Sequence, residues 1–224
     1  MTLTVKNFWK ITGYIAATLF IFSVCEVLLL RFVPVVYTPL MSIRHIEALR
    51  EGKEWHLKKK WTPLKDISPQ LQKAVIASED SRFYEHNGFS WEGIKNAIEE
   101  KRDGNFRHGG STISQQTAKN VFCLPHRSYI RKAVEAYYTV LIELLWGKER
   151  ILEVYLNVAE TGDGMFGAEA AARQYFGVSA NRLNSSQAAL IAVSLPNPRK
   201  MHPSRPSLYM LKQQQVILRR MRVM

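Results

Sequence analysis

The sequence has 224 residues, which is enough for one domain of ordinary size and an extension, and too few for two large domains. Lys and Arg number 31 against 19 Asp and Glu, so the net charge is +12, while 46% of the residues are hydrophobic. This composition excludes an intrinsically disordered chain, which lacks the apolar residues of a core. The charge predicts an anionic partner, which is nucleic acid, a phosphate-bearing substrate or a membrane surface.

An apolar run over residues 11–32 has the length of a membrane-spanning helix. Twenty residues at 1.5 Å each span ~30 Å, the thickness of a bilayer core. Leu, Ile, Phe and Val favour insertion by about 0.3–0.6 kcal/mol each, which outweighs the ~3 kcal/mol cost of Glu26, the one charge in residues 11–30. A buried helix of a soluble protein and a cleaved signal peptide are the alternatives. No small-x-small cleavage site follows, so we predict an uncleaved anchor.

The anchor divides the chain into four predicted segments. Residues 1–10 form a short cytoplasmic N-terminus, 11–32 the transmembrane anchor, 33–66 a juxtamembrane connector and 67–224 the catalytic domain. Lys6 and Lys10 favour a cytoplasmic N-terminus, although Arg31 and the three lysines at 58–60 lie on the other side. The two cysteines form no disulfide framework, and they leave the compartment open.

Helix signals dominate the chain beyond residue 66, and no strand-like alternation of useful length is present. Ser68 before a proline is a helix N-cap, Ser111 and Ser128 are further candidate N-caps, and Asn184 with a glutamine three residues on resembles a capping box. The helix after Ser128 is apolar on nearly every side, which predicts the buried central helix of the domain. The soluble part is therefore expected to be mainly α.

Glu79 continues the apolar stripe of Leu71 and Val75 at a helix end, where desolvation would raise its pKa as a general base requires. The alternative is an exposed acidic pair, Glu79 and Asp80, at a fraying helix end. His86 follows nearby. Because it has no second histidine at ligand spacing and no cysteine cluster, a hydrogen-bonded structural histidine is favoured over a metal ligand.

A second polar group follows the Gly-Gly pair at 109–110. Glycines before a capped helix expose backbone N–H groups that bind anions, although the P-loop pattern is not met. Gln116 and Asn120 share one face of this helix, and Lys119 lies on the next. Two adjacent polar stripes suit a ligand with many hydroxyls and a phosphate, while an ordinary solvated face is the alternative.

The third group is Arg131, Lys132 and Glu135, in which both cations flank the carboxylate at helical spacing. A buried ion pair explains this spacing structurally. A site that binds pyrophosphate beside a carboxylate has the same pattern, so both interpretations remain open from spacing.

Together these motifs resemble the peptidoglycan glycosyltransferases of glycosyltransferase family 51, and in size the monofunctional, membrane-anchored kind. The matches in family order are Glu-Asp-x-x-Phe-x-x-His-x-Gly at 79–88, Gly-x-Ser-Thr-Ile-x-Gln-Gln-x-x-Lys-Asn at 109–120, Arg-Lys-x-x-Glu at 131–135, Lys-x-Arg-Ile-Leu-Glu-x-Tyr-Leu-Asn at 148–157 and Gly-x-x-Gly-x-x-x-Ala-Ala, ending in Tyr-Phe-Gly, at 164–177. Any one motif is weak, but five in order make coincidence negligible.

The resemblance implies an all-α, lysozyme-like, two-lobed domain facing the periplasm of a bacterial inner membrane. It implies polymerisation of lipid II into β-1,4-linked glycan by inverting transfer, with release of undecaprenyl pyrophosphate. Glu79 matches the general base and Glu135 the second catalytic glutamate. The positions that match substrate contacts are Asp80, Ser111, Thr112, Gln116, Lys119, Asn120, Arg131 and Lys132.

In this mechanism Lys119, Arg131 and Lys132 neutralise the departing pyrophosphate. Glu135 either orients Arg131 or binds the pyrophosphate through a divalent cation, Mg²⁺ or Mn²⁺, which the sequence does not itself require. The polar stretch 99–108 is expected to form a mobile flap on the acceptor side. The expected partners are lipid II, the growing glycan, anionic lipids and other cell-wall synthesis proteins, and nucleic acid is not among them. A lysozyme-like cleaving enzyme and a non-catalytic basic scaffold are the competing hypotheses.

Overall fold

The structure is a computed structural model that describes residues 5–93, 95, 110–126 and 128–224. The helices are α1 (Val5–Phe32), α2 (Pro39–Arg50), α3 (Pro69–Glu79), α4 (Ile113–Phe122), α5 (Tyr129–Leu145), α6 (Lys148–Val158), α7 (Ala168–Phe176), α8 (Ser185–Ser194) and α9 (Leu208–Arg222). The short strands are β1 (Lys58–Lys59), β2 (Glu160–Gly162) and β3 (Met165–Phe166). The predicted flap at 99–108 lies outside the described residues.

Two groups of helices share one continuous apolar core. In one group α8 packs against α3 and α9, and in the other α4 packs against α5 and α6. The alanines of α8, among them Ala188, Ala189 and Ala192, are fully buried and let the neighbouring helices approach closely. The mainly helical fold predicted from the sequence is confirmed.

Side-chain caps fix where the helices of the site begin. The Ser68 hydroxyl accepts from the Gln70 N–H at the start of α3, and Asn184 forms a complete capping box with Gln187 at the start of α8, as predicted. Ser128 caps α5, also as predicted. The predicted cap of α4 is wrong by one residue: Thr112, not Ser111, forms a capping box with Gln115.

Residues 33–66, predicted as a connector, contain the helix α2 and the strand β1. β1 pairs in parallel with β3, which pairs in antiparallel fashion with β2, and the sequence did not predict this small sheet. The Thr62 N–H donates to Asn157 Oδ1 at 2.7 Å, and Asn157 Nδ2 donates to the Thr62 carbonyl at 2.9 Å. This pair joins the segment to the middle of the domain.

α5 is not the buried central helix that its apolar composition predicted. Four of its side chains are buried, while Ile130 is 79% exposed and Leu144 76% exposed. Ile130, Tyr137 and Leu144 recur every seven residues and so share one face of α5, on which Tyr137 contacts the apolar anchor. α8 is the more buried helix of the domain, with seven buried residues in ten.

Gly88 allows a close approach that a side chain would prevent. Its φ is +91°, and a Cβ there would lie 2.8 Å from Thr139 Cγ2 and 3.0 Å from Glu143 Cγ. Gly177 at the end of α7 also has a positive φ, +67°, but a Cβ there meets nothing within 4 Å. Comparing substitutions at these two glycines therefore distinguishes the cost of backbone strain from the cost of crowding.

We predict that Gly177→Ala costs about 1–2 kcal/mol of unfolding free energy from the left-handed backbone alone, and that Gly88→Ala costs about 2–4 kcal/mol because overpacking adds to the strain. Chemical denaturation of both variants in detergent measures the difference. Equal costs for the two substitutions would show that the space around Gly88 relaxes freely.

Candidate active site

The end of α3 places Glu79 against the middle of α4. Gln116 Nε2 donates to Glu79 Oε2 at 2.8 Å, and the Tyr155 hydroxyl donates to Gln116 Oε1 at 3.3 Å. Because the amide oxygen is occupied by the tyrosine, the amide N–H₂ faces Glu79 and favours its ionised, accepting form. Burial raises the pKa of Tyr155 well above its ordinary value, so this phenol remains a donor.

Two opposing influences act on the Glu79 carboxyl. Burial raises its pKa above the ordinary carboxyl value, and the Asp80 charge adds to this effect, while the Gln116 hydrogen bond and Lys119 lower it. A carboxyl with a raised pKa is a stronger proton acceptor once it is ionised. This is the property that the apolar stripe of α3 predicted for Glu79, and the exposed acidic pair of the alternative is not observed.

Asp80 is turned away from the cleft into a hydrogen-bonded network. The Ile113 N–H donates to Asp80 Oδ2 at 3.0 Å, and His86 Nε2 lies 2.9 Å from Asp80 Oδ1. The Gly88 N–H donates to His86 Nδ1 at 3.1 Å, which leaves the ring proton on Nε2, facing the carboxylate. The structural role favoured for His86 is confirmed.

The residues at the start of α4 differ in their surroundings. The Thr112 hydroxyl is buried and donates to the Gly88 carbonyl at 2.6 Å, whereas Ser111 is half-buried just before the cap. Together with Asp80 and Ile113, the Thr112 contact ties the loop that follows Glu79 to α4 at two points. Thr112 and Asp80 therefore face the protein interior in this structure.

Lys119, Arg131 and Lys132 surround one buried carboxylate. Glu135 is 2% exposed; Arg131 Nη1 lies 2.6 Å from one of its oxygens, and Lys132 Nζ bonds to the other. Burial lowers the pKa of Lys119, which Glu135 opposes and the two other cations reinforce. We call these three side chains the cation cluster. Three cations against one carboxylate leave excess positive charge for an anionic ligand.

Both Glu135 oxygens are engaged by cations, so its contacts are those of a carboxylate that orients Arg131. Among the described residues, no group of three His, Cys, Asp or Glu side chains is placed to hold a metal ion. The donor set beside the cation cluster does not fit a metal site made by the protein alone.

A cleft of about 470 Å³ runs along α4. Four predicted residues line one wall, namely Gln116, Lys119, Asn120 and Arg131, while Lys132 reaches Glu135 from a more exposed position. The opposite wall was missed by the sequence analysis; it comes from α2, β2 and the turn after α8, through Leu40, Arg44, Glu160, Asn197 and Arg199.

The far wall is held by a paired contact across the chain. Arg44 Nε and Nη2 donate to the two oxygens of Glu160 at 2.9 and 2.8 Å, and Arg44 Nη1 donates to Glu47 at 2.8 Å. Sequence carried little signal for this pair, because its members lie 116 residues apart and Arg44 stands in a segment predicted as a connector. The Pro-Asn-Pro turn at 196–198 was the one local sign.

A family model described as transglycosylase matches residues 46–222. The chain belongs to the transglycosylase family. Relatives that carry the name biosynthetic peptidoglycan transglycosylase include those of three bacteria. That of Bdellovibrio bacteriovorus is 51% identical over 90% of this chain and 80% of its own length. That of Bacteroides thetaiotaomicron is 47% identical over 98% and 88%, and that of Caulobacter vibrioides 51% over 84% and 80%.

Family membership confirms the resemblance drawn from the five motifs, the lysozyme-like fold class and the prediction of a glycosyltransferase. A transglycosylase extends glycan chains. α1 is long and apolar enough to cross a membrane, which fits a membrane anchor for an enzyme of this family. Glu79, which does not itself line the cleft but binds Gln116 of its wall, and the cation cluster are then the groups to test for catalysis.

We predict that Glu79→Gln stabilises the fold above neutral pH. A folded-state pKa that is raised above the unfolded value makes the wild type lose stability as pH rises through that pKa, by about 1.4 kcal/mol for each pH unit that separates the two pKa values. Melting temperatures of both proteins in detergent should therefore converge below the ordinary carboxyl pKa of about 4.3, where Glu79 is protonated in folded and unfolded chains alike, and should diverge as pH rises above it. A constant difference across this range would contradict the raised pKa.

We predict that Gln116→Ala moves the acid limb of the rate profile to higher pH, because the lost hydrogen bond no longer stabilises the Glu79 carboxylate. The pH dependence of kcat/KM for glycan polymerisation measures this movement. Gln215→Ala, which changes an exposed glutamine on α9, is the matched control and should leave the limb in place.

Proposed function

We propose that the protein polymerises peptidoglycan glycan strands from lipid II at the outer face of a bacterial inner membrane. The observation that carries the proposal is the arrangement along α4. Gln116 binds the carboxylate of Glu79, and Lys119, three residues later, belongs to the cation cluster in the same cleft. A proton acceptor and an anion-binding group therefore stand side by side, as transfer from a pyrophosphate requires.

In the proposed reaction, ionised Glu79 takes the proton of the 4-hydroxyl of lipid II. The oxygen attacks the anomeric carbon of the growing chain, and the bond from that carbon to the pyrophosphate oxygen breaks. Undecaprenyl pyrophosphate leaves with the electron pair. One displacement at an α-linked donor gives a β-1,4 link.

The cation cluster acts on the leaving group in this proposal. Charge grows on the pyrophosphate as its bond to the sugar breaks, and Lys119, Arg131 and Lys132 offer fixed positive charge that needs no reorganisation at that moment. Glu135 holds two of these cations, while Asn120 and Ser111 are the neighbouring polar groups for sugar hydroxyls. A divalent cation, where it takes part, arrives with the substrate phosphates.

The membrane orientation is part of the same proposal. With the N-terminus of α1 in the cytoplasm, the domain lies in the periplasm, where lipid-linked peptidoglycan precursors are polymerised. Arg219, Arg220 and Arg222 at the end of α9 are candidate contacts for anionic lipid headgroups, worth roughly 1 kcal/mol each near a membrane surface. Other cell-wall synthesis proteins remain candidate partners.

The three lysines at 58–60 all have partners inside the protein. Lys58 Nζ donates to Gln174 Oε1 at 3.0 Å. Lys59 Nζ donates to the carbonyls of Val35 and Val36, and Lys60 Nζ lies 3.4 Å from Glu169. Burial lowers the pKa of Lys59 to about 8. These contacts attach β1 to the segment that follows α1. Lys59 therefore stabilises the fold and is not a contact for lipid headgroups.

We predict that Glu79→Gln lowers the rate of lipid II polymerisation by roughly 10²–10⁴-fold, because the amide cannot take a proton. Purified full-length protein, labelled lipid II and separation of the glycan products measure this rate. Glu54→Gln, whose side chain is 92% exposed, is the matched control and should polymerise at the wild-type rate. Near-wild-type activity of Glu79→Gln would remove Glu79 from the role of base.

The same assay distinguishes the competing hypotheses when finished peptidoglycan replaces lipid II. Growth of glycan from lipid II is the expected result. Release of fragments from finished peptidoglycan would indicate the cleaving enzyme. Inertness of the wild type in both assays, with a normal cellular function for Glu79→Gln, would indicate a scaffold.

A further inference from the structure

Side chains of α5 and α6 hold the last turns of the anchor helix. Ser23 Oγ and the Tyr137 hydroxyl lie 2.6 Å apart, and Trp146 Nε1, directly after α5, donates to the Val27 carbonyl at 2.7 Å. Arg150 Nη2 donates to the Leu30 carbonyl at 2.8 Å. Ser23, Val27 and Leu30 recur at helical spacing, so one face of α1 carries all three contacts.

This face of α1 is packed as well as hydrogen-bonded. Val27 is fully buried and Ser23 is 6% exposed, although most of α1 is exposed. Polar groups at the depth of an apolar segment have no water to replace a lost partner, so these hydrogen bonds resist separation of α1 from the domain. α1 is therefore a docked part of the domain and not a free tether.

The docked face extends below the membrane surface. From Ser23 to Phe32, the last residue of α1, is nine residues, or about 13 Å of helix at 1.5 Å per residue. The headgroup layer on each side of a bilayer is only roughly 5–8 Å thick. Tyr137, which contacts Ser23, thus lies at the depth of the acyl chains when Phe32 lies at the surface.

The exposed side of α5 is apolar, as a surface in contact with acyl chains would be. Ile130, Val134, Tyr137 and Leu144 follow one another at helical spacing and are exposed. They continue the apolar surface of α1 through Tyr137. Because this face continues the surface of a membrane-spanning helix, lipid acyl chains are the partner that covers it.

The same contacts reach the cleft. Arg131, Lys132 and Glu135 lie in the first two turns of α5, whose later turns hold α1. Tyr138, which donates to Glu26 of α1 at 3.4 Å, stacks on Phe122 at the end of α4, with ring centroids 4.2 Å apart. Both helices that form the predicted wall of the cleft are therefore fixed to the anchor.

We infer that docked α1 fixes how far the domain enters the membrane, and that it thereby controls whether the cation cluster meets the pyrophosphate of a lipid-linked substrate. This inference rests on the proposed function, since it needs a pyrophosphate at a defined depth. Ser23, Tyr137, Trp146 and Arg150 are positioning residues that act through α5 and α6. The polymerisation rate should then depend on bilayer thickness, and the docking contacts should be the cause of that dependence.

The test uses full-length protein in vesicles of monounsaturated phosphatidylcholine and phosphatidylglycerol with chains of about 14 to about 22 carbons. The wild type should polymerise lipid II fastest at one thickness and fall at least about threefold at both extremes. Ser23→Ala/Tyr137→Phe, which removes the contact and keeps the shapes, should flatten this profile. In detergent, where no thickness is imposed, it should keep at least about half of the wild-type rate.

Ser204→Ala/Tyr209→Phe makes the same two changes at exposed positions and should retain the wild-type profile. A double variant with an unchanged thickness profile would overturn the inference, as would a wild type whose rate ignores thickness. Ser23→Ala alone, a change confined to the anchor, replaces the double variant if that protein melts early in detergent. Failure of the wild type to polymerise lipid II in detergent would instead contradict the proposed function.

Discussion

The hydrogen bond from Gln116 to Glu79 joins the two helices on which the site depends. α3 belongs with α8 and α9, and α4 belongs with α5 and α6, so this contact crosses from one group of helices to the other. The loop after Glu79 returns to α4 through Asp80 and Gly88, which fixes the carboxylate from both sides. Tyr155 orients the amide between them, and the fold thereby holds a partly desolvated carboxyl against Gln116, which lines the cleft.

The cation cluster poses the opposite electrostatic problem. Burial disfavours the charge on Lys119 just as it disfavours the charge on Glu79, and repulsion from Arg131 and Lys132 adds to the cost. Glu135 offsets only part of this, because it is one carboxylate among three cations. A site that is electrostatically incomplete in the free protein binds a dianionic leaving group most strongly when its charge is greatest. A protein with such a site is less stable than the same fold would be with the charges of the site fully paired.

Sequence predicted the elements whose signals are local. Ser68 before a proline and Asn184 before a glutamine are capping patterns read within four residues, and both helices begin where those patterns place them. Ser111 and Thr112 carry equivalent hydroxyls, but only Thr112 has a glutamine three residues on, and its capping box with Gln115 is a local signal that decides between them. The far wall of the cleft had no such local signal, since Arg44 and Glu160 meet only in the fold.

The wrong prediction that α5 is the buried central helix has a different cause. A helix that is apolar on all sides suits a protein core and a lipid environment equally well, because both exclude water. Tyr137 and Leu144 are exposed beside α1, so their apolar character matches acyl chains and not a core. Composition reports the absence of water around a residue, and it does not report what replaces the water.

The most direct test of the central claim is a structure of the full-length protein with an unreactive lipid II analogue in the acceptor position and a pyrophosphate-bearing donor analogue. We expect the donor's pyrophosphate oxygens within about 3 Å of Lys119 and Arg131, and the acceptor's 4-hydroxyl within about 3 Å of a Glu79 carboxylate oxygen. Pyrophosphate bound away from the cation cluster, or a 4-hydroxyl beyond hydrogen-bond reach of Glu79 and of any water it holds, would contradict the account.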